Sequence, residues 1–363
     1  MAQGKKTLVR QPVTIRDVAR DAGVSIGTVS KALNDQGQLR KETRAKVRTT
    51  AELLGFRPND LAQSLHRKRS FTVGLITSDR FGRFSIPLLE GFEEALDPAR
   101  VSVFLCKPTD DKAHERRHVD VLLSKRVDGI IVTSRRTDPR APIEMLGSNV
   151  PVIYAYAQTA GAGTTCLLPD DEGGGHLAGS HLASLGRKRI AHITGPSRFA
   201  AVRDRRAGLG AAMRAAGSPL DPRLTLMGDW SEEWGRTAIG RLLEANLSFD
   251  AVFCGSDQIA RGVADSLRDA GLRVPDDVAL IGYDNWEIIA AATRPPLTTI
   301  DPCLHDLGKM AALRLLKMIE GETQPETIRV PCRLVVRQSC GAEPDWADIK
   351  SQAAVKIACG GKQ

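Results

Sequence analysis

Residues 114–118 read His-Glu-Arg-Arg-His, the spacing of a zinc-dependent hydrolase. On a helix His114 and His118 share a face one turn apart, where both imidazoles can take a metal while Glu115 activates its bound water. The setting argues against that chemistry. Two arginines separate the histidines, the flanks PTDDKAHERRHVD are those of a solvated helix, and Ser124 stands where a third histidine would be needed. The run Gly173–Gly175 is no phosphate cradle either, since neither GxGxxG nor GKS/T accompanies it. Seven cysteines (106, 166, 254, 303, 332, 340 and 359) form no CxxC pair, and an odd, scattered set makes no disulfide framework. Four stand in or beside apolar runs and read as reduced core residues. No catalytic site, metal or cofactor is expected, and the zinc peptidase stays a remote alternative.

A second constellation offers recognition instead of catalysis. In VTIRDVARDAGVSIGTVSKALND (13–35) the outward positions of a short helix carry Ile26, Gly27, Ser30, Lys31 and Asn34. Isoleucine can touch a thymine methyl, and glycine lets a backbone approach a base edge closely. Glycine costs about 1 kcal/mol in a helix relative to alanine, a cost that close approach would offset.

These residues need a frame, and the surrounding pattern supplies one. Ile15, Val18, Ala19 and Ala22 fall at i, i+3, i+4 and i+7, which predicts a first helix opened by a Thr14–Asp17 capping box. Gly23 permits a sharp turn and Ser25 caps the second helix, whose Val29, Ala32 and Leu33 face inward. A third helix is expected over 41–54, burying Val47, Ala51 and Leu54. The result is a helix-turn-helix, which presents the start of its second helix to the DNA major groove. Beyond it, in FRPNDLAQSLHRKRS (56–70), Asn59 or Asp60 can cap about two turns of helix carrying Leu61 and Leu65 at i, i+4. So short a helix forms only against a partner helix or DNA.

Charge supports a nucleic-acid partner. The chain of 363 residues has a net charge of +8, and residues 1–69 hold 15 Lys and Arg against six Asp and Glu. That first fifth therefore carries +9 and the remainder −1, the electrostatic footprint of a nucleic-acid-binding module. The segment has no aromatic face for a membrane. No apolar run approaches the roughly 18 residues of a membrane helix, and the N-terminus lacks the apolar core of a secretory signal. A cytoplasmic protein without membrane contact is expected.

From Phe71 short apolar runs alternate with helix-length amphipathic stretches. TVGLIT (72–77), VSVFLC (101–106), GIIVTS (129–134), VPVIY (150–154), RIAHIT (189–194), AVFCGS (251–256) and VALIGY (278–283) predict parallel α/β layers. DGIIVTS (128–134) echoes DAVFCGS (250–256), which suggests two doubly wound subdomains. The expected fold class is α/β, an all-α helix-turn-helix domain followed by two doubly wound α/β subdomains. Boundaries are set at 1–57 for the first domain, 58–70 for hinge helix and linker, 71–343 for the core and 344–363 for a disordered tail. Asp257 and Asp284 follow strand-like runs directly, where ligands of doubly wound folds bind. The plainer readings are a helix cap for Asp257, a turn residue for Asp284 and a core position for Trp230. Arg205, beside Ala-Gly and taken to open a helix, has no evident structural purpose.

VTIRDVARDAGVSIGTVSKALND, LLGFRPNDLAQSL, VPDDVALIGYDN and RPPLTTID together resemble, in order from about residue 12 to 341, the LacI/GalR family of bacterial transcription regulators. The resemblance implies a homodimer reading a pseudo-palindromic operator, with a periplasmic-binding-protein-like core that holds a small effector between its subdomains. It implies base reading by Ile26, Gly27 and Lys31, and phosphate or helix-positioning roles for Thr14, Thr28, Ser30 and Asn34, with Asn59 counted among the DNA-binding residues. Leu65 matches a hinge leucine that wedges into the minor groove, with His66 beside it. Phe81, Ser134, Tyr156, Arg205, Trp230, Asp257 and Asp284 match effector or cleft positions. The function implied is a repressor switched by a sugar or sugar-derived effector; the alternative is corepressor dependence.

Two departures matter. Tyr156 stands where sugar-binding members often carry aspartate, and arginines cluster after several strands, at 80, 83, 135, 136 and 198. Guanidinium in place of carboxylate suits an anionic effector, and solvated loop charges are the plainer reading. No leucine heptad follows Gly341, so the tetramer-forming tail of some members is expected to be absent. A transport or chemotaxis receptor fits the core but not the basic N-terminal module.

Overall fold

The computed structural model describes residues 13–343 except 36, 57–68, 80–81, 108–110, 146, 162 and 323–324. It divides into two compact units, Met1–Ser70 and Phe71–Gln363. In the first, α1 (Ile15–Ala22), α2 (Ile26–Leu33) and α3 (Lys41–Leu54) enclose a core of Val18, Ala22, Val29, Ala32 and Val47, all fully buried. Helices of eight residues are marginal alone, so α1 and α2 depend on that shared core. Gly23 makes the turn between them in the left-handed region, at φ 67°.

The second unit runs through β1 (Thr72–Thr77), α4 (Ser85–Leu96), β2 (Ser102–Cys106), α5 (Lys112–Ser124), β3 (Gly129–Thr133), β4 (Pro139–Arg140), β5 (Val152–Ala155), β6 (Gln158–Thr159) and β7 (Thr165–Pro169). It continues with α6 (Asp171–Ser184), β8 (Ile190–Thr194), α7 (Ala200–Ala215), β9 (Thr225–Met227), α8 (Glu232–Glu244), β10 (Ala251–Cys254), α9 (Asp257–Asp269) and β11 (Ala279–Tyr283). It closes with α10 (Glu287–Ala290), β12 (Thr298–Asp301), α11 (Leu304–Ile319), β13 (Thr327–Val330) and β14 (Arg333–Val335).

Two six-stranded sheets result, ordered β13-β7-β5-β3-β1-β2 and β14-β12-β11-β10-β8-β9. All pairings are parallel except β12 with β14. The chain passes between the sheets three times, after β7, β12 and β13. The echo noted in the sequence is structural: β3 and β10 hold the same place in their sheets, and the aspartate before each ties down the neighbouring strand. Asp128 Oδ2 accepts the Phe71 amide at 2.7 Å, and Asp250 Oδ1 accepts the Arg189 amide at 3.0 Å.

The helices pack through paired glycines. A Cβ on Gly175 of α6 would stand 2.0 Å from the Arg205 carbonyl oxygen, and one on Gly208 of α7 would stand 1.8 Å from the Glu172 oxygen. Backbone therefore touches backbone where these helices cross. Gly91 with Gly308 repeats the arrangement between α4 and α11, and Gly235 with Gly262 between α8 and α9. Of the run at 173–175, Gly175 serves this packing, while a Cβ on Gly174 would meet the Tyr283 ring at the sheet.

Strands β7, β9, β12 and β13 have no counterpart in the sequence reading. In β12 the reason is physical: Thr298 and Thr299 are fully buried with paired hydroxyls, so a core strand reads as polar.

Candidate functional site

In the first unit Thr14 N–H and Oγ1 both donate to Asp17 Oδ2, at 2.9 and 2.7 Å, which closes the start of α1 and lowers the carboxyl pKa. Ser25 caps α2 by accepting the Thr28 amide at 3.1 Å, and the two hydroxyls pair at 2.9 Å. Asn34 Nδ2 closes the other end on the Ser30 carbonyl. With these groups engaged, the exposed start of α2 offers Ile26, which is 45% accessible, and Gly27, with Lys31 one turn on. Asn59, Leu65 and His66, with the whole hinge helix, lie outside the described residues, as does Phe81.

In the second unit Arg205 corrects its sequence reading. It lies in the second turn of α7, 3% exposed, and has clear structural work. Nε donates to Asp171 Oδ1 at 2.8 Å and Nη1 to the Gly255 carbonyl at 2.6 Å, with the guanidinium 3.4 Å from the Tyr283 ring centre. Tyr283 donates its hydroxyl to the same Asp171 oxygen at 2.8 Å. Burial opposes the charge, but Asp171, Tyr283 and Asp284 raise the guanidinium pKa. Nη2 keeps no hydrogen-bond partner among the described residues. The Gly175–Gly208 crossing is what brings α7 near enough for this pair.

Asp257 is the first residue of α9, and Ser256 caps the helix in its place. The fully buried Asp257 carboxyl accepts the Trp286 amide at 2.7 Å and the Thr299 hydroxyl at 2.6 Å. Burial, and then Asp284, pushes its pKa up to about 8. Asp284 and Asn285 turn the chain after β11 with φ of 106° and 48°, a pair of left-handed residues such as functional loops hold.

Across the cleft from this loop comes Arg83, one of the arginines that follow strands. Its Nη2 pairs with Asp284 Oδ2 and its Nη1 donates to Gln258 Oε1 at 2.8 Å. The guanidinium lies 5.0 Å from the Phe84 ring centre and 4.8 Å from that of Trp286. Arg83 and Asp284 are 13% and 7% exposed, so this arginine is no solvated loop charge. Burial raises the Asp284 carboxyl while Arg83 pulls it down. Arg83 Nε is buried without a partner. Tyr156, itself buried, stacks on Phe84 with ring centres 4.9 Å apart.

Other contacts join the same faces. Asp138, after β3, accepts the Ala200 amide at the start of α7 at 2.8 Å, and Arg136 and Arg198 both lie over Phe199. Trp230 is half-buried against Gly195 and Phe199. Ser134 accepts the Arg136 amide at 3.4 Å. The hydroxyls of Thr133 and Thr194, at the carboxyl ends of β3 and β8, are buried and unpartnered. A groove of about 570 Å³ on the outer face of α7, lined in part by Arg203, Arg206 and Arg214, includes none of the expected effector residues.

The 114–118 segment lies on α5 with the histidine rings 4.7 Å apart, and Glu115 is bound by Arg140 Nη2 at 2.6 and 2.5 Å. Among the described residues no group of three or more His, Cys, Asp or Glu is placed to hold a metal. None of their helices is long and apolar enough to cross a membrane.

Comparison with known proteins agrees with this geometry. The model for bacterial regulatory proteins of the lacI family matches residues 14–59, and that for a periplasmic binding protein-like domain matches residues 180–340. Catabolite control protein A of Priestia megaterium is 32% identical over 90% of this chain and 99% of its own. The chain belongs to the LacI family of bacterial transcriptional regulators. The ribose operon repressor of Escherichia coli K12 is 34% identical over 86% of this chain and 94% of its own. A lac repressor dimer bound to operator and the anti-inducer ONPF superposes with a TM-score of 0.74 at 28% identity, covering 91% of this chain and 99% of that one. This LacI-family chain is thus a DNA-binding transcriptional regulator with a helix-turn-helix domain and two α/β subdomains.

Proposed function

We propose that this LacI-family regulator is a cytoplasmic homodimeric repressor, not an enzyme, whose hold on a pseudo-palindromic operator is released by a small sugar-derived effector bound between the two sheets. Ile26, Gly27 and Lys31 read base edges, while Thr14, Thr28, Ser30, Asn34 and Asn59 position the domain on phosphates. Leu65 and His66 act in the hinge at the operator centre. The effector meets Arg205, Trp230, Asp284, Tyr156, Ser134 and Phe81, and Asp257 acts by holding Trp286.

The observation that carries the reading is the cross-cleft contact of Arg83 with Asp284. A ligand can shift operator binding only through a difference in affinity for two conformations of the core. Contacts that come from both sheets change with the angle between them, so a molecule bound there discriminates open from closed. The unpartnered Thr133 and Thr194 hydroxyls at the strand ends add places for a polar ligand.

The test is an anisotropy titration of full-length protein with a duplex that the protein itself has selected from a random pool. Affinity should fall by orders of magnitude between about 50 and 200 mM salt, as several phosphate contacts per dimer require. A ligand found by thermal shift should weaken wild-type binding, and Trp230→Ala should blunt that response. A salt-insensitive complex would remove the phosphate-driven module. A normal response in Trp230→Ala would move the effector out of the cleft.

A further inference from the structure

Arg83 carries an inference about the chemical class of the effector, which rests on the cleft being the effector site. Polar groups lining the cleft differ in what they still lack. Each of its three buried carboxylates already has a donor: Asp171 Oδ1 takes Arg205 and Tyr283, Asp257 takes Trp286 and Thr299, and Asp284 Oδ2 takes Arg83. Arg83 still lacks an acceptor. Arg83 spends Nη2 on Asp284 and Nη1 on Gln258, and its buried Nε has no partner. Arg205 spends Nε on Asp171 and Nη1 on the Gly255 carbonyl.

A buried donor without an acceptor is costly and rare in folded proteins. What Arg83 Nε lacks is therefore an acceptor oxygen, and negative charge suits it best, because charge-assisted bonds to guanidinium are the strongest available. A cationic ligand would have to approach the charged Arg83 guanidinium and would leave its Nε without an acceptor. A neutral polyol supplies only weaker acceptors to that donor. The partly exposed rings of Phe84 and Trp286 meanwhile offer an apolar wall for the carbon skeleton of a small molecule.

We propose that the effector is a small hydroxyl-bearing anion, a carboxylate or a phosphate, and that Arg83 is its specificity-determining contact, offering Nε to the anionic group while Nη2 stays on Asp284. The anion completes the fork of the guanidinium and strengthens the bridge that already spans the two sheets. Binding and cleft closure then reinforce one another through a single side chain.

Full-length protein is titrated calorimetrically with glucose, gluconate and glucose 6-phosphate, and with ribose, ribonate and ribose 5-phosphate. One anionic member should bind about tenfold or more tightly than its neutral parent, and the carboxylate and phosphate arms tell the two sources apart. Arg83→Gln should bring the two affinities together by weakening the anionic member about tenfold or more, Arg83→Lys should restore part of the preference, and Trp230→Ala should weaken both members of the pair. The anionic class falls if the neutral parent binds as tightly, if the preference survives Arg83→Gln, or if no anion binds at millimolar concentration. Should a neutral sugar bind and lose affinity in Trp230→Ala, the cleft reading stands and only the anionic class is lost. Should an anion bind while neither Arg83→Gln nor Trp230→Ala weakens it, both fail.

Discussion

Arg205 Nε stands 2.8 Å from Asp171 Oδ1, with the two side chains 3% and 2% exposed, so α7 and α6 are joined by an ion pair almost closed to water. Removing one partner of such a pair strands the other charge in the interior, which typically costs about 3–5 kcal/mol. Arg205→Ala should therefore lower the melting temperature of the protein strongly, and Asp171→Asn added to it should recover much of the loss. Equal melting of Arg205→Ala and wild type would mean the pair contributes nothing. The same expectation makes Arg205→Ala a poor probe of ligand binding, because lost response and lost fold arrive together.

Gly208 permits that pair. A Cβ there would lie 1.8 Å from the Glu172 carbonyl oxygen, and backbone atoms cannot swing aside as a side chain could. Gly208→Ala should push α7 off α6 and destabilise by about 1–3 kcal/mol or more, as overpacked positions do. Gly240, on α8, meets nothing within 4 Å, so Gly240→Ala is the matched control and should be neutral or stabilising. Similar melts for the two variants would remove the glycine contact from the account.

Gly27 lets stability and recognition be separated. A Cβ at this position meets only Ser25 Oγ at 3.8 Å, an ordinary contact, so nothing inside the folded domain requires glycine. Gly27→Ala should raise the protection of α2 amides from hydrogen exchange about fivefold, the equivalent of about 1 kcal/mol of helix propensity. Operator affinity should fall in the same variant, because the methyl stands between backbone and base edge. A more stable helix with undiminished operator affinity would end the idea of close approach.

What the sequence disclosed follows from the range of the interactions. Helices α1 to α3 were legible to within a residue or so, because caps and i, i+3, i+4 spacing are local. Parallel strands rich in Val and Ile were legible as apolar runs, whereas β12 was not, its Thr298 and Thr299 being buried through hydrogen bonds instead of apolar side chains. Arg205 was singled out correctly as unusual but misjudged as lacking structural partners, because Asp171 lies 34 positions earlier and Gly255 50 later. Arg83 was visible only as one of five arginines after strands, since the partner that sets it apart, Asp284, is 201 positions away. Contacts of that range depend on the strand order, which no local pattern encodes.

Asp257 should leave a signature in the pH dependence of stability. Its folded pKa is about 8, whereas an unfolded aspartate titrates near ~4. Between those values the folded protein holds a proton that the unfolded chain has released, so stability from this group falls as pH rises. The contribution is fully present below the unfolded value and lost as pH climbs through the folded one. His192 acts in the opposite sense: burial lowers its pKa to about 4, so its contribution is lost as pH falls below the ordinary histidine range. Comparison of Asp257→Asn with wild type cancels that second effect, since both proteins keep His192. The asparagine has an acceptor for the Trp286 amide and no proton to lose. Its melting temperature relative to wild type should therefore climb steadily between about pH 5 and 8 and level off above. A difference that stayed flat across that window would show that Asp257 is already ionised in the folded protein, with Arg83 and Arg337 stabilising its charge.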